Sequence, residues 1–429
     1  MTVGSASLGR GFTRLWAGNA AGNLSDGIVF VAIPLMAAAL TQDPVVIAGL
    51  AVAHSAVRLL VVVPVGVLVD RLDRRTILSA VTFLRALLLI GLALLFSSGH
   101  GSLAALYAVF IGLGIVETAA DNAALSLLPS IVPHDNLDRA NGRVSAAQLI
   151  ADEFAGPPLG GVLFALAAAL PVAVAGGLHL AAGAFFLALP RGTREPRDAG
   201  VDAANQSGGA EPGAPVEPRP SILRDAAAGA SWLRQHRVLG GIAVIGGIAS
   251  VGYMMPFAVL VLYAGDRLGL DAAGYGVLLA ASALGGVLGA VVAAGIRARL
   301  GYGWTIAASL ALGALTMLGL ALTTSAIAAG VLLAAYILHS VVWGICVSSL
   351  RQRLVPDELR GRVNASSKVL SLIGLTVGAG LGGTLTASLG IVAPFFAAAG
   401  LFGLCAVLAT RLFRGADVPG ESRADTQLV

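Results

Sequence analysis

The chain has 429 residues, of which 57% are hydrophobic and only 12% charged, and its mean hydropathy is +0.87. A soluble domain carries about a quarter charged residues, so this balance excludes an ordinary globular enzyme or nucleic-acid-binding domain and indicates a membrane protein. The net charge of +4 then has meaning only through where the arginines lie.

Twelve apolar runs follow one another, at roughly 14–38, 46–69, 77–97, 103–127, 144–167, 171–190, 238–262, 272–296, 304–323, 326–349, 364–388 and 390–411. Each has the length, about 20 residues, that a helix needs to cross about 30 Å of hydrocarbon. An Ala-rich soluble bundle would need polar outer faces, which these runs lack. The sequence therefore predicts an all-α membrane protein with twelve transmembrane helices. The loops after even-numbered spans, together with both termini, hold 23 of the 27 Lys and Arg residues, whereas the opposite loops hold only Arg267. By the positive-inside rule the arginine-rich face is cytoplasmic in a multi-pass cell-membrane protein, and both termini lie there.

Span 1 carries Asn19, Asn23 and Asp26 and has no small-residue cleavage site, so it reads as the first mature helix and not as a secretion signal. Spans 1 to 5 contain Asp26, Arg58, Arg85, Glu117, Asp121, Asp152 and Glu153, while spans 7 to 12 have no acid at depth. A charge at a helix centre costs about 2.5–3.5 kcal/mol on the insertion scale, so seven of them imply pairing or water and read as one network. Helical rise places all but Asp121 near the middle layer. Glu117 and Asp26 fit proton carriers best, with Arg85 as counter-ion, and Asp152 and Glu153 are further candidates. Adjacent residues point to different faces, so only one of Asp152 and Glu153 is expected to line a cavity. For each acid the competing reading is a permanent ion pair that only orients helices.

The loop GVLVDRLDRRT (Gly66–Thr76) separates spans 2 and 3. Its Asp70 can cap a neighbouring helix, and Arg71, Arg74 and Arg75 can pair with acids or lipid phosphates. Asp121, one turn from Glu117 toward the arginine-rich face, is within reach of Arg71 or Arg74 and reads as a gate partner. Arg75 alone is expected only to set topology. In span 5, Gly156, Gly160 and Gly161 permit close helix contact, and Pro157 with Pro158 interrupts the backbone ladder, so this stretch reads as a hinge.

From Arg191 to Arg237 the chain is rich in Pro, Gly and both charge signs, too polar to form a core. It divides the chain into an N-terminal six-helix bundle (1–190), a linker (191–237) that is expected to be helical from Ser221 to His236, a C-terminal six-helix bundle (238–412) and a tail (413–429). In the second bundle Tyr253, Met254, Met255 and Phe257, and His339 with Trp343, can form a wall for an amphipathic ligand, to which Arg58 adds a charge. Such residues, like His54 and His179, more often simply pack. Cys346 and Cys405 both fall within spans, so no disulfide and no metal site is expected. The only lysine, Lys368, is not in a Walker A setting, which excludes direct ATP use by this chain. No cofactor is expected, and the partners are a small-molecule substrate, protons and the bilayer, with a monomer as the default.

The two halves read as copies. Val132-Pro133 and Gly160-Gly161 recur as Val355-Pro356 and Gly382-Gly383, and Arg71-Leu72 has an echo in Arg299-Leu300. Parallel repeats of this kind enclose a midplane site in one large class of transporters.

The loop Gly66–Thr76 resembles the signature between spans 2 and 3 of the major facilitator superfamily, with Asp73 where a second glycine is usual. Phe12–Gly27, Glu117–Ala123 and Ala140–Gly161 are similar to the superfamily's bacterial drug:proton antiporters, the subgroup of macrolide and enterobactin exporters. The resemblance implies the major facilitator fold of two six-helix pseudo-repeats. It also implies a gate at Asp70, Arg71 and Arg74, and an exporter-type span 5. A proton-coupled exporter of small amphipathic compounds is the leading expectation. A lysolipid or lipid mover or an uptake carrier of the same fold comes next. A membrane enzyme ranks last, since His134-Asp135 is the only close His/acid pair.

Overall fold

Every apolar run becomes a helix, because a backbone in hydrocarbon must satisfy its own hydrogen bonds. The computed structural model describes residues 8–69, 73–124, 131–132, 136–189 and 222–414. The first half contains Gly9–Leu40, Pro44–Val69, Arg74–Ser97, Leu103–Ala124, a fifth span running from Leu137 to Leu166, and Leu170–Leu187. The amphipathic linker helix Ile222–Gln235 follows, close to the Ser221–His236 helix expected from the sequence. The second half contains Arg237–Phe257, Ala272–Leu322, Ala326–Leu354, Asp357–Leu389 and Ala393–Phe413.

Eleven helices among the described residues are long and apolar enough to cross a membrane. The helix Ala272–Leu322 has 51 residues, about 75 Å of rise, which no single passage through about 30 Å can use. It is broken at Gly301, whose φ of 72° and ψ of 176° suit only glycine. Its two arms, 272–300 and 302–322, are spans 8 and 9, consistent with twelve passages. The sequence reading placed a loop here; a single glycine makes the turn instead.

Side-chain oxygens start several spans. Asp73 accepts from the backbone N–H and the hydroxyl of Thr76, both at 2.9 Å, so the acid that replaces the usual glycine is the N-cap of span 3. Asp271 accepts from Gly274 N–H at 2.7 Å at the start of span 8. Arginines finish span 6: Arg75 donates to the carbonyls of Phe186 and Leu187, and Arg14 to that of Ala188. Arg75 thus has a structural duty beyond topology, covering carbonyls that lack helical partners.

The repeat seen in the sequence reappears as equivalent packing. In span 5, a Cβ on Gly160 would lie 2.8 Å from the Ile28 carbonyl of span 1, and one on Gly161 would overlap the Ala272 carbonyl of span 8. In span 11, a Cβ on Gly382 would overlap the Met255 carbonyl of span 7, and one on Gly383 would lie 2.8 Å from Ala48 Cβ of span 2. Each glycine pair therefore binds one helix of its own half and one of the other. All four contacts lie toward the arginine-poor end. At the arginine-rich end of the same helices, Cβ positions at Gly142, Gly295 and Gly361 have nothing within 4 Å. The halves are therefore sealed by glycine contacts at the arginine-poor end, and no contact of this kind occurs at these three glycines at the other.

Gly161→Val should wedge the sealed end open. Overpacking by this much costs about 1–3 kcal/mol, enough to shift a closed-to-open ratio roughly tenfold. With a reporter cysteine at Phe30, which lines the cavity, labelling by an impermeant maleimide from the arginine-poor face should accelerate accordingly. Cys346 and Cys405 are fully buried and contribute little background. An unchanged labelling rate refutes the seal.

Candidate transport cavity and its charge cluster

Between the halves lies a cavity of 340 Å³. Its first-half wall includes Asp26, His54, Arg58, Glu117, Asp152 and His179, and its second-half wall includes Tyr253, Met254, Phe257, Tyr275, Leu372 and Leu375. All the charged and histidine side chains of the lining thus come from the first half, whose wall also holds Phe30, Ile33 and Phe110, while the second-half wall is apolar and aromatic. Tyr253 and Phe257 stack at 4.6 Å, so the span 7 cluster faces the cavity and not lipid.

The charges form one connected network across four helices. Arg85 in span 3 reaches Asp26 in span 1 at 3.3 Å and Glu117 in span 4 at 3.1 Å. Arg58 in span 2 reaches the other oxygen of Glu117 at 3.4 Å. Arg85 is 12% exposed, so its two carboxylates bind it in a poorly hydrated setting where the pairing is stronger than at a surface.

Two histidines that the sequence reading assigned to plain packing belong to this network. His54 Nε2 lies 3.3 Å from Glu117, with its Nδ1 3.2 Å from the Phe110 carbonyl and its ring stacked on Phe110. His179 Nε2 lies 3.4 Å from Asp26. The usable signal was position: both sit at the depth of the acids, in the same half.

Asp152 and Glu153 separate as the helix geometry requires. Asp152 lines the cavity, whereas the Glu153 carboxylate lies 3.8 Å from the Cβ position of Gly286 in span 8. Neither has an ion pair or a side-chain hydrogen bond among the described residues. Both sit on a π-helical stretch, Leu149–Ala155, directly ahead of Gly156 and the proline pair. Pro157 and Pro158 supply no N–H groups, and the wider π turn absorbs the mismatch, which is a form favoured at functional sites. Gly156 meets Gly27 backbone to backbone, and Gly156, Pro157, Gly160 and Gly161 are all buried.

The other expected residues divide. His339 and Trp343 do not line the central cavity. They line a second one, of 260 Å³, with Tyr253, Tyr336, Ser340, Ser371 and Arg351, inside the second half. His339 is buried between Tyr336 and Phe402, ring centroids 4.7 and 5.3 Å away. Tyr253 borders both cavities. Of the expected gate, Asp70 and Arg71 lie outside the described residues, as do the side chains of Arg74 and Asp121.

The profile of the Major Facilitator Superfamily matches residues 15–365. The chain is 30% identical over 385 residues to the enterobactin exporter EntS of Escherichia coli O127:H6 (strain E2348/69 / EPEC), covering 89% of this chain and 86% of that protein. EntS of Shigella boydii serotype 4 (strain Sb227) is 29% identical with the same coverage. Among solved structures, the nucleoside transporter NupG superposes with a TM-score of 0.68 at 12% identity, covering 95% and 100% of the two chains. A bacterial homolog of the human lysosomal transporter Spinster, inward-facing and unoccupied, gives 0.68 at 14%, covering 94% and 97%. At these identities the structural likeness concerns the fold alone.

Arg85→Gln leaves Asp26 and Glu117 facing each other without their shared cation. Breaking a buried pair costs about 3–5 kcal/mol, and the partial exposure of Asp26 places this case near the lower figure. Thermal melting in detergent should fall by several degrees for Arg85→Gln and much less for Arg85→Lys. Equal melting of the two variants denies the network a structural role.

Proposed function

The chain belongs to the Major Facilitator Superfamily, and from that premise we propose that it exports small amphipathic compounds across the cell membrane in exchange for protons. The observation that carries the proposal is the two-faced cavity, with a charge network on its first-half wall and an apolar, aromatic second-half wall. An amphipathic molecule fits such a space, its apolar body against Tyr253, Met254 and Phe257 and its polar part toward the network. Similarity to enterobactin exporters over most of the chain supports export and points to siderophore-like or drug-like cargo. Both termini are assigned to the cytoplasm by the arginine distribution. The cavity is built within one chain, so one copy suffices for transport.

The two halves rock about the glycine contacts of spans 5 and 11, and the cavity meets each face of the membrane in turn. The sequence reading gave the proton to Glu117 or Asp26. Both are in ion pairs with Arg85, whereas Asp152 lines the same cavity with no ion pair among the described residues, so Asp152 becomes the group proposed to exchange protons with cavity water. An unpaired carboxyl takes up or releases a proton without first breaking an ion pair. Glu117 and Asp26 then sense the change through Arg85, which can shift its contacts between spans 1 and 4 as the halves move. Glu153, at the span 5 to span 8 contact, couples that interface to the same event. Asp70, Arg71, Arg74 and Asp121 are proposed to latch the arginine-rich face when it closes.

Reconstituted protein should drive a cationic dye, a macrolide or a catecholate siderophore against its gradient when a pH difference is imposed. Asp152→Asn should lose at least tenfold of this driven accumulation while still binding substrate, and Glu117→Gln and Asp26→Asn should be impaired as well. If all three variants accumulate substrate like the wild type, the proton assignment is wrong. Transport of labelled lysolipid in preference to these probes, or uptake in place of efflux, would favour the lipid or import reading of the same fold.

A further inference from the structure

At the arginine-rich end of the second half, three arginines surround an open pocket of 430 Å³, lined by Arg297, Tyr302, Ser349, Gln352, Arg353 and Arg360. They come from the ends of spans 8 and 10 and the start of span 11, brought together by the glycine turn at Gly301. The Tyr302 ring is 3% exposed and holds two guanidiniums at once, Arg297 at 5.3 Å and Arg353 at 5.8 Å from its centroid. Arg360 is fixed by donating to the Gln352 carbonyl at 2.8 Å.

Two like charges beside one ring repel, and a ring face offsets only part of that repulsion. Neither Arg297 nor Arg353 pairs with a carboxylate among the described residues. The pocket is therefore a built concentration of donors facing outward, with Ser349 adding a hydroxyl. Planar guanidinium forks match phosphate oxygens two at a time.

The surroundings indicate which phosphate. Leu300 and Trp304, at the same turn, are 49% and 65% exposed. A tryptophan with its ring in the headgroup layer is a membrane-interface anchor, and basic pockets between helix ends at this level suit anionic lipid heads. We propose that this pocket binds the phosphate of an anionic phospholipid, with its acyl chains running along the apolar outer surface of spans 8 and 9. Such a lipid would tie the ends of spans 8, 10 and 11 together at the arginine-rich face. The proposal depends only on the protein lying in a bilayer and not on what it transports.

The test uses the full-length protein in nanodiscs of phosphatidylcholine, with phosphatidylglycerol added in increasing proportion, and in a separate arm inorganic phosphate. Lipid retained by the protein is counted by native mass spectrometry, and melting is followed by tryptophan fluorescence. Phosphatidylglycerol should be retained selectively and raise the melting temperature. A Lys or Arg near a lipid surface contributes about 1 kcal/mol, or roughly fivefold in affinity, so Arg297→Gln with Arg353→Gln should weaken retention more than tenfold. The same two positions changed to lysine should keep most of it, and Arg237→Gln, on the same face outside the pocket, should keep all of it. Equal melting of all variants in pure phosphatidylcholine shows that they are folded; if the glutamine pair melts early, the single Arg353→Gln, expected to weaken retention about fivefold while Arg237→Gln leaves it unchanged, carries the test. Retention of phosphatidylglycerol by the folded glutamine pair at wild-type level overturns the proposal. Stabilisation by inorganic phosphate with none from phosphatidylglycerol also overturns it, in favour of a free anion.

Discussion

The backbone-to-backbone approach of spans 5 and 11 is the constraint on which the rest of the structure depends. Hydrocarbon gives no hydrophobic reward for helix association, so close packing through small residues must supply it. At Gly160 and Gly382 each of these spans is fixed to its own half, and at Gly161 and Gly383 each is fixed to the other half. A side chain at any of the four would force a carbonyl or a neighbouring side chain away. Because the contacts lie near one end, that end is sealed, and the central cavity lies inside it.

The same approach determines where charge can be tolerated. Just inside the seal, the two halves cannot meet as closely, and the cavity that remains is where Asp26, Arg85, Glu117 and Arg58 are placed. Four helices each contribute one member, so the network pins the first half together by electrostatics where small-residue packing gives out. No such network of acids and arginines lines the cavity from the second half among the described residues. That half is held by rings instead, with Tyr336, Phe402 and Tyr253 around a buried His339. The two repeats have therefore kept a common backbone plan while diverging in chemistry: one half carries the charge network and the other offers an apolar, aromatic wall.

Much of this was legible in the sequence because membrane folding leaves few options. Span lengths, loop arginines and the duplicated Gly-Gly pairs each follow from a constraint that acts locally. The charge network was legible in part: of the seven groups expected to join it, Asp26, Arg58, Arg85 and Glu117 are linked by ion pairs with Arg85 shared between two acids, whereas Asp152 and Glu153 have no ion pair among the described residues and the Asp121 side chain lies outside them. What could not be read were the facts that depend on rotation about a helix axis. Whether Asp152 or Glu153 faces the cavity turns on a π-helical stretch that shifts the register by one residue. His54 and His179 looked like ordinary packed histidines because their acids are about 60 and 150 residues away. Gly301 looked like part of a loop, although its positive φ makes the entire turn.

Asp73 shows how a local departure can be misjudged in both directions. Where a glycine is usual, an acid suggests either a defect or a subgroup label. Its carboxylate instead accepts both Thr76 donors and starts span 3, and the next turn sends Arg75 to the open carbonyls of span 6. The loop thus joins the N-terminus of one helix to the C-terminus of another, setting an acid at the positive end and a cation at the negative end. Spans 3 and 6 are thereby locked as one block beneath Arg85 and His179, which reach Asp26 from those two helices. This block therefore meets the charge network from behind, while the packing between the halves is made by spans 1, 2 and 5 of the first half against spans 7, 8 and 11 of the second.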